Sequence, residues 1–296
     1  METKTPTKDK ALLLSDGRML SYRELGDPDG KPLFFFHGTP GSRLVLSEND
    51  RIAQIPGLRL ILPERPGYGF STPKPGRTLL DWPRDVAQLA EHLGFERFAV
   101  AGESGGGPHT LACAFALKNQ IEAAFVLSSP APADFPGATE GMSLGNRLGI
   151  WLNRIAPPLL KLALMGNVAT FRKTPNRFIS AIARHMCEAD QKYFEDPVFR
   201  QAVLDDFREA YRQGEEGQFS DGRIAMTSRS WGFPLEEIAP SVFLWYGKKD
   251  TLVSMNMAKR LAQKIPNCKV RYIADCGHIL SERPEVIDDI RGILNL

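Results

Sequence analysis

The sequence predicts an α/β fold built around a mainly parallel sheet. Two observations carry this. Short apolar runs of strand length, unbroken except for Arg59 and Arg271, recur at residues 33–36, 58–62, 98–101, 123–127, 242–246 and 270–273. Such runs suit strands buried on both faces, the condition of a parallel sheet covered by helices. Segments with helical apolar spacing lie between them. Size and composition agree: 296 residues, 43% hydrophobic and 24% charged, suffice for a large core and do not describe a disordered chain.

The elements follow in order. Residues 11–15 and 19–25 flank Asp16-Gly17, a hairpin signal. The first two apolar runs come next. Asp81 is the expected N-cap of a helix that carries Val86, Leu89, Ala90 and Leu93 on one face. Residues 108–118 form a mostly apolar, buried helix. The final helix starts near Pro284 and presents Val286, Ile287, Ile290, Ile293 and Leu294. The alternation breaks between about residues 131 and 240. Helical patterns dominate there: Leu144/Leu148/Leu152/Ile155, Phe178/Ile179/Ile182/Met186 and Phe199/Val203/Phe207/Tyr211. The expected organisation is a sheet domain in two parts, 1–130 and 241–296, interrupted by a helical insertion at 131–240.

Composition narrows the function classes. Lys and Arg number 37 against 35 Asp and Glu, a net +2 with no basic run, so no nucleic-acid partner is expected. No stretch approaches the roughly 20 apolar residues of a spanning helix, and residues 1–10 are polar. A cytoplasmic protein without stable membrane association, monomeric or homodimeric, is the expectation. Four cysteines, none in a C-x-x-C pair, suggest neither zinc nor a redox motif and fit reduced thiols.

The strongest chemical signal is Gly102-Glu103-Ser104-Gly105-Gly106, a G-x-S-x-G turn between an expected strand and an expected helix. Small residues let the chain turn sharply and hold a serine at the tip. The helix start directs backbone N–H groups toward an oxyanion. A serine nucleophile needs a base. Of five histidines, His92, His109 and His185 lie in helical segments and His37 follows an apolar run. His278, in the loop after 270–273, stands where sites gather in α/β sheets. Asp250, beyond 242–246, is the expected partner of His278; Asp134 and Asp275 are weaker competitors. The order Ser, Asp, His is the one this arrangement requires. Oxyanion donors are expected from the N–H of Gly105 and of Thr39, in the loop His37-Gly38-Thr39-Pro40-Gly41, because Pro40 has no N–H.

These motifs resemble the α/β-hydrolase superfamily over nearly the whole chain. His37–Gly41 is similar to its HGxPG loop. Residues 64–71, Glu-Arg-Pro-Gly-Tyr-Gly-Phe-Ser, are similar to its D-x-x-G-x-G-x-S turn, with Glu64 where aspartate is usual. Gly102–Gly106 looks like the nucleophile elbow, and Tyr246–Asp250 and Gly277-His278 look like the acid and histidine loops. The resemblance implies a mostly parallel eight-stranded sheet flanked by helices, an inserted helical cap and a Ser104–His278–Asp250 triad. It implies a serine carboxylesterase-like enzyme that uses no metal or organic cofactor, acting on a small or medium apolar ester. Gly38, Glu103, Trp151 and Trp231 are the expected substrate-binding residues. Two alternatives stand beside it: an aminopeptidase of the proline-iminopeptidase type, and a small-molecule-binding protein without catalysis. The aminopeptidase needs an acidic cluster in the cap. Glu188, Asp190, Glu195, Asp196, Asp205, Asp206 and Glu209 are candidates, but the expectation is a solvated helix face.

Overall fold

A computed structural model describes residues 9–226 and 230–296. Eight strands form one sheet in the order β1-β2-β4-β3-β5-β6-β7-β8. β1 (Asp9–Leu13) and β2 (Met19–Gly26) make the expected hairpin, and β2 also runs antiparallel to β4 (Leu58–Pro63). The rest is parallel: β3 (Lys31–Phe36) between β4 and β5 (Phe98–Glu103), then β6 (Ile121–Leu127), β7 (Val242–Gly247) and β8 (Cys268–Ile273).

The continuous apolar run of β3 has the reason anticipated for it, whereas β8, at the sheet edge, is largely exposed. Phe34 and Phe36 pack on one face of β3 with Trp82 and Val86 of α1 (Trp82–His92) and Leu111 of α2 (Gly107–Ala116). Leu33 and Phe35 pack on the other face with Ile52, Leu62 and Ile290 of α10 (Pro284–Ile293). α9 (Met255–Lys264) joins the first layer through Met257, Ala258 and Leu261. A polar residue at any of these strand positions would lack water on either side.

Asp81 stands at the N-cap position of α1 as expected, but its side chain makes no capping bond to that helix. Its carboxylate reaches back to accept from the N–H (2.7 Å) and hydroxyl (2.9 Å) of Thr78, closing a capping box that opens a 3₁₀ turn, Leu79–Asp81. The turn feeds directly into α1, so the cap sits three residues earlier.

Between the neighbouring strands β6 and β7 the chain forms α3 (Leu144–Ile155), α4 (Pro157–Lys173), α5 (Pro175–Ala183), α6 (Glu188–Gln191), α7 (Pro197–Ala210) and α8 (Glu216–Ala225). This segment has a small core of its own: Val168, Phe171, Ile179, Leu204 and Tyr211. The stripe Leu144/Leu148/Ile155 of α3 faces outward, and Ile150 and Asn153 face inward. Asn153 explains the orientation, because its Nδ2 donates to the carbonyls of Gly222 (2.6 Å) and Met226 (3.0 Å) beside α8.

Candidate active site

Ser104 sits where β5 ends, with φ +54°. Left-handed backbone is unfavourable for serine and persists only where the surroundings enforce it. Here they do. A Cβ on Gly106 would lie 2.1 Å from the Phe36 carbonyl oxygen, and one on Gly105 would lie 2.1 Å from Thr39 Oγ1. The turn after β5 is therefore pressed onto the end of β3 and the loop that follows it. The same contacts bring the Thr39 backbone nitrogen against Gly105, and Gly38 alongside the Ser104 side chain. α2 starts three residues after Ser104, directing the positive end of its dipole at this turn.

His278 is buried beyond β8, and its Nδ1 is 2.8 Å from Asp250 Oδ2. The other Asp250 oxygen accepts from the N–H groups of Leu252 (2.7 Å) and Val253 (3.0 Å), which fixes the carboxylate. The competitors do not take this place. Asp275 is exposed and pairs with Lys249, and Asp134 is exposed. Burial alone would lower the pKa of His278. The Asp250 charge and hydrogen bond, helped by Glu103 and Asp190, overcome that and raise it to about 9.

Two further carboxylates hold the histidine loop. Glu103 accepts from Leu280 N–H (2.7 Å), Ser281 N–H (3.2 Å) and the Ser281 hydroxyl (2.8 Å). Asp190, on α6, accepts from the N–H of His278 (2.7 Å) and of Ile279 (3.2 Å). Glu103, expected to meet substrate, thus spends its oxygens on the loop that carries His278.

A third carboxylate serves the Thr39 loop. Asp221 of α8 is fully buried, and its Oδ2 accepts from the Thr39 hydroxyl (3.0 Å), Arg65 Nε (2.9 Å) and the Tyr68 hydroxyl (2.9 Å). Arg77 donates to its other oxygen. Burial opposes the charge, but Arg65 and Arg77 hold this carboxyl well below its usual range. Arg65 also donates to the carbonyls of His37 and Gly38 and to Thr39 Oγ1. His109 is buried nearby with Nδ1 3.0 Å from the Gly105 carbonyl. Burial and Arg65 lower its pKa to about 3, so the ring is neutral, consistent with a structural role.

Three of the acidic helix residues do not form the solvated face expected of them: Asp190, Asp206 and Glu209 are buried. Asp206 accepts from the N–H (2.8 Å) and hydroxyl (2.7 Å) of Ser42, and Glu209 from Arg43 (2.6 Å). Arg43 also pairs with Glu64, whose other oxygen accepts from Phe70 N–H. The glutamate at the usual aspartate position is thereby accommodated. The two tryptophans stand apart in character. Trp231 is buried, lies tilted against Phe233 and donates from Nε1 to the Ala225 carbonyl. Trp151 lies exposed on α3.

A family model described as the alpha/beta hydrolase fold matches residues 31–283. The chain belongs to this family. A proline iminopeptidase of Xanthomonas citri is 34% identical over 118 residues, 38% of this chain and 36% of that protein. The match therefore spans about a third of the iminopeptidase. A 2-hydroxy-6-oxononadienedioate/2-hydroxy-6-oxononatrienedioate hydrolase of Pseudomonas putida is 27% identical over 88% of this chain and 85% of its own. Among solved structures, an esterase from Exiguobacterium antarcticum superposes with TM-score 0.70 at 16% identity, covering 97% and 99% of the two chains. A putative aryl esterase from Burkholderia cenocepacia gives 0.66 at 23%, covering 97% and 100%. These likenesses concern the fold.

Proposed function

We propose that the protein hydrolyses a carboxylic ester of a small or medium apolar substrate through an acyl-enzyme on Ser104. The observation that carries this reading is the 2.8 Å pair between His278 Nδ1 and Asp250 Oδ2, beyond strands parallel to the one that ends at Ser104. Asp250 fixes the tautomer in which Nε2 is free to accept a proton. Ser104 Oγ attacks the ester carbonyl as His278 takes its proton. The N–H groups of Gly105 and Thr39 stabilise the oxyanion, each worth on the order of 3 kcal/mol. His278 then protonates the leaving alcohol, and a water activated by His278 releases the acid. The segment 131–240 acts as a cap over the carboxyl ends of the strands. Asp221 and Arg65 act as positioning residues that hold Thr39 in place, and Asp190 and Glu103 do the same for His278.

The partial likeness to iminopeptidases favours one second reading, cleavage of an N-terminal amide. That chemistry needs a carboxylate for the substrate ammonium. Asp190, Asp206 and Glu209 are already engaged by backbone, Ser42 and Arg43, which favours the ester. Steady-state rates on acyl esters graded by acyl length, a prolyl amide and a 2-hydroxy-6-oxo-dienoate decide between the bonds. Ester turnover that vanishes in Ser104→Ala supports the proposal. Preference for the amide or the carbon–carbon substrate, or tight retention of an ester without turnover, overturns it.

A further inference from the structure

α3 is an amphipathic helix packed inside out. Leu144, Leu148, Trp151 and Ile155 recur at i, i+4, i+7 and i+11 and share one face. That face meets solvent: Leu144 is 80% exposed and the other three 54% each. The polar Asn153 points inward, bonded to the carbonyls of Gly222 and Met226. The pattern continues on α4, which packs against α3 and exposes Leu159, Leu162 and Met165 while burying Leu164, Val168 and Phe171. Aligned exposure on this scale differs from scattered surface leucines and marks a surface with a partner.

The charge around it identifies the partner. No aspartate or glutamate occurs between Glu140 and Glu188, whereas seven lysines and arginines do. Arg147 and Arg154 are exposed on α3 and flank the apolar stripe. Lys161 on α4 pairs with Glu216, but apolar side chains flanked by Arg147 and Arg154 suit insertion at the headgroup boundary of a bilayer that carries negative lipid. Among the described residues no helix is long and apolar enough to cross a membrane, so the helices lie on the surface.

We infer that the α3–α4 face docks reversibly on an anionic phospholipid surface. This is independent of the chemistry at Ser104. The molecule carries its own probe. Of four tryptophans, Trp82, Trp231 and Trp245 are buried, so Trp151 alone reports on this face. The intact protein is to be floated with phosphatidylcholine vesicles, with and without phosphatidylglycerol, while tryptophan emission is recorded. Co-flotation is expected only with phosphatidylglycerol, falling with added salt, together with a blue shift that Trp151→Phe abolishes. The exposed double variant Leu144→Ser/Leu148→Ser, checked for fold by circular dichroism, should partition at least about tenfold less. Arg147→Glu/Arg154→Glu should lose the preference for phosphatidylglycerol. The inference is overturned if the wild type does not bind anionic vesicles, or if both double variants bind as the wild type does. It is equally overturned if the wild type is a dimer that Leu144→Ser/Leu148→Ser converts to a monomer, since the face would then serve a second copy.

Discussion

At the residue scale, the proposed activity turns on which proton sits where. A His278 pKa of about 9 means that the base is largely protonated at neutral pH. We therefore expect kcat/KM to rise with pH from 7 and level above about 9, measured on a substrate stable to alkali. The sign for stability runs the other way. The folded pKa lies above the ordinary value of 6.5, so the ion pair with Asp250 stabilises fully below about 6.5 and is lost as pH rises through about 9. Asp250→Asn should remove both trends. The buried Asp221 supplies a second expectation. Asp221→Asn leaves Arg65 and Arg77 facing a neutral group and loosens Thr39, so kcat should fall about 100-fold with little change in KM. Thr39→Val should repeat that split, and Thr39→Ser, which restores a hydroxyl toward Asp221, should recover most of the rate.

At the element scale, the helices between β6 and β7 are tied to the sheet domain by buried carboxylates: Asp190, Asp206, Glu209 and Asp221. Asp206 has the most testable cost. Burial raises its pKa to about 7, while the hydrogen bonds from Ser42 pull the other way. For a carboxyl raised in the folded state, the contribution to stability is present below about 3.8 and is lost as pH climbs through about 7. Asp206→Asn keeps an oxygen for the Ser42 N–H and hydroxyl. Thermal melts should show it equal to wild type near pH 4 and more stable above pH 7, by on the order of 1–2 kcal/mol. Equal melts at both pH values would show that Asp206 ionises in place without cost. These ties also explain what the sequence hid. A carboxylate on a helix reads as solvated, and its partners lie far away in the chain: His278 is 88 residues from Asp190, and Arg65 156 from Asp221. The period of α3 revealed its apolar stripe but not its direction, which the hydrogen bonds of Asn153 decide.

At the scale of the whole molecule, much of the architecture was legible because a parallel sheet writes itself plainly. Strands covered on both faces appear as apolar runs, and all six runs are strands of the sheet, although β8, at its edge, is largely exposed. The loops after β3, β5, β7 and β8 meet at one end of the sheet: Thr39 lies against Gly105, Asp250 pairs with His278, and Glu103, next to Ser104, accepts hydrogen bonds from the loop that carries His278. Turn chemistry and chain order marked these positions before any geometry was known. The central claim is that this convergence makes Ser104 a nucleophile. Reaction of the native protein with a fluorophosphonate, with the modified peptide mapped by mass spectrometry, tests it most directly. One phosphonyl group per chain on Ser104 is expected, with faster labelling as pH rises toward 9 and none in Ser104→Ala. Folded wild type that stays unlabelled at pH 9, or that carries the label on another residue, would contradict it.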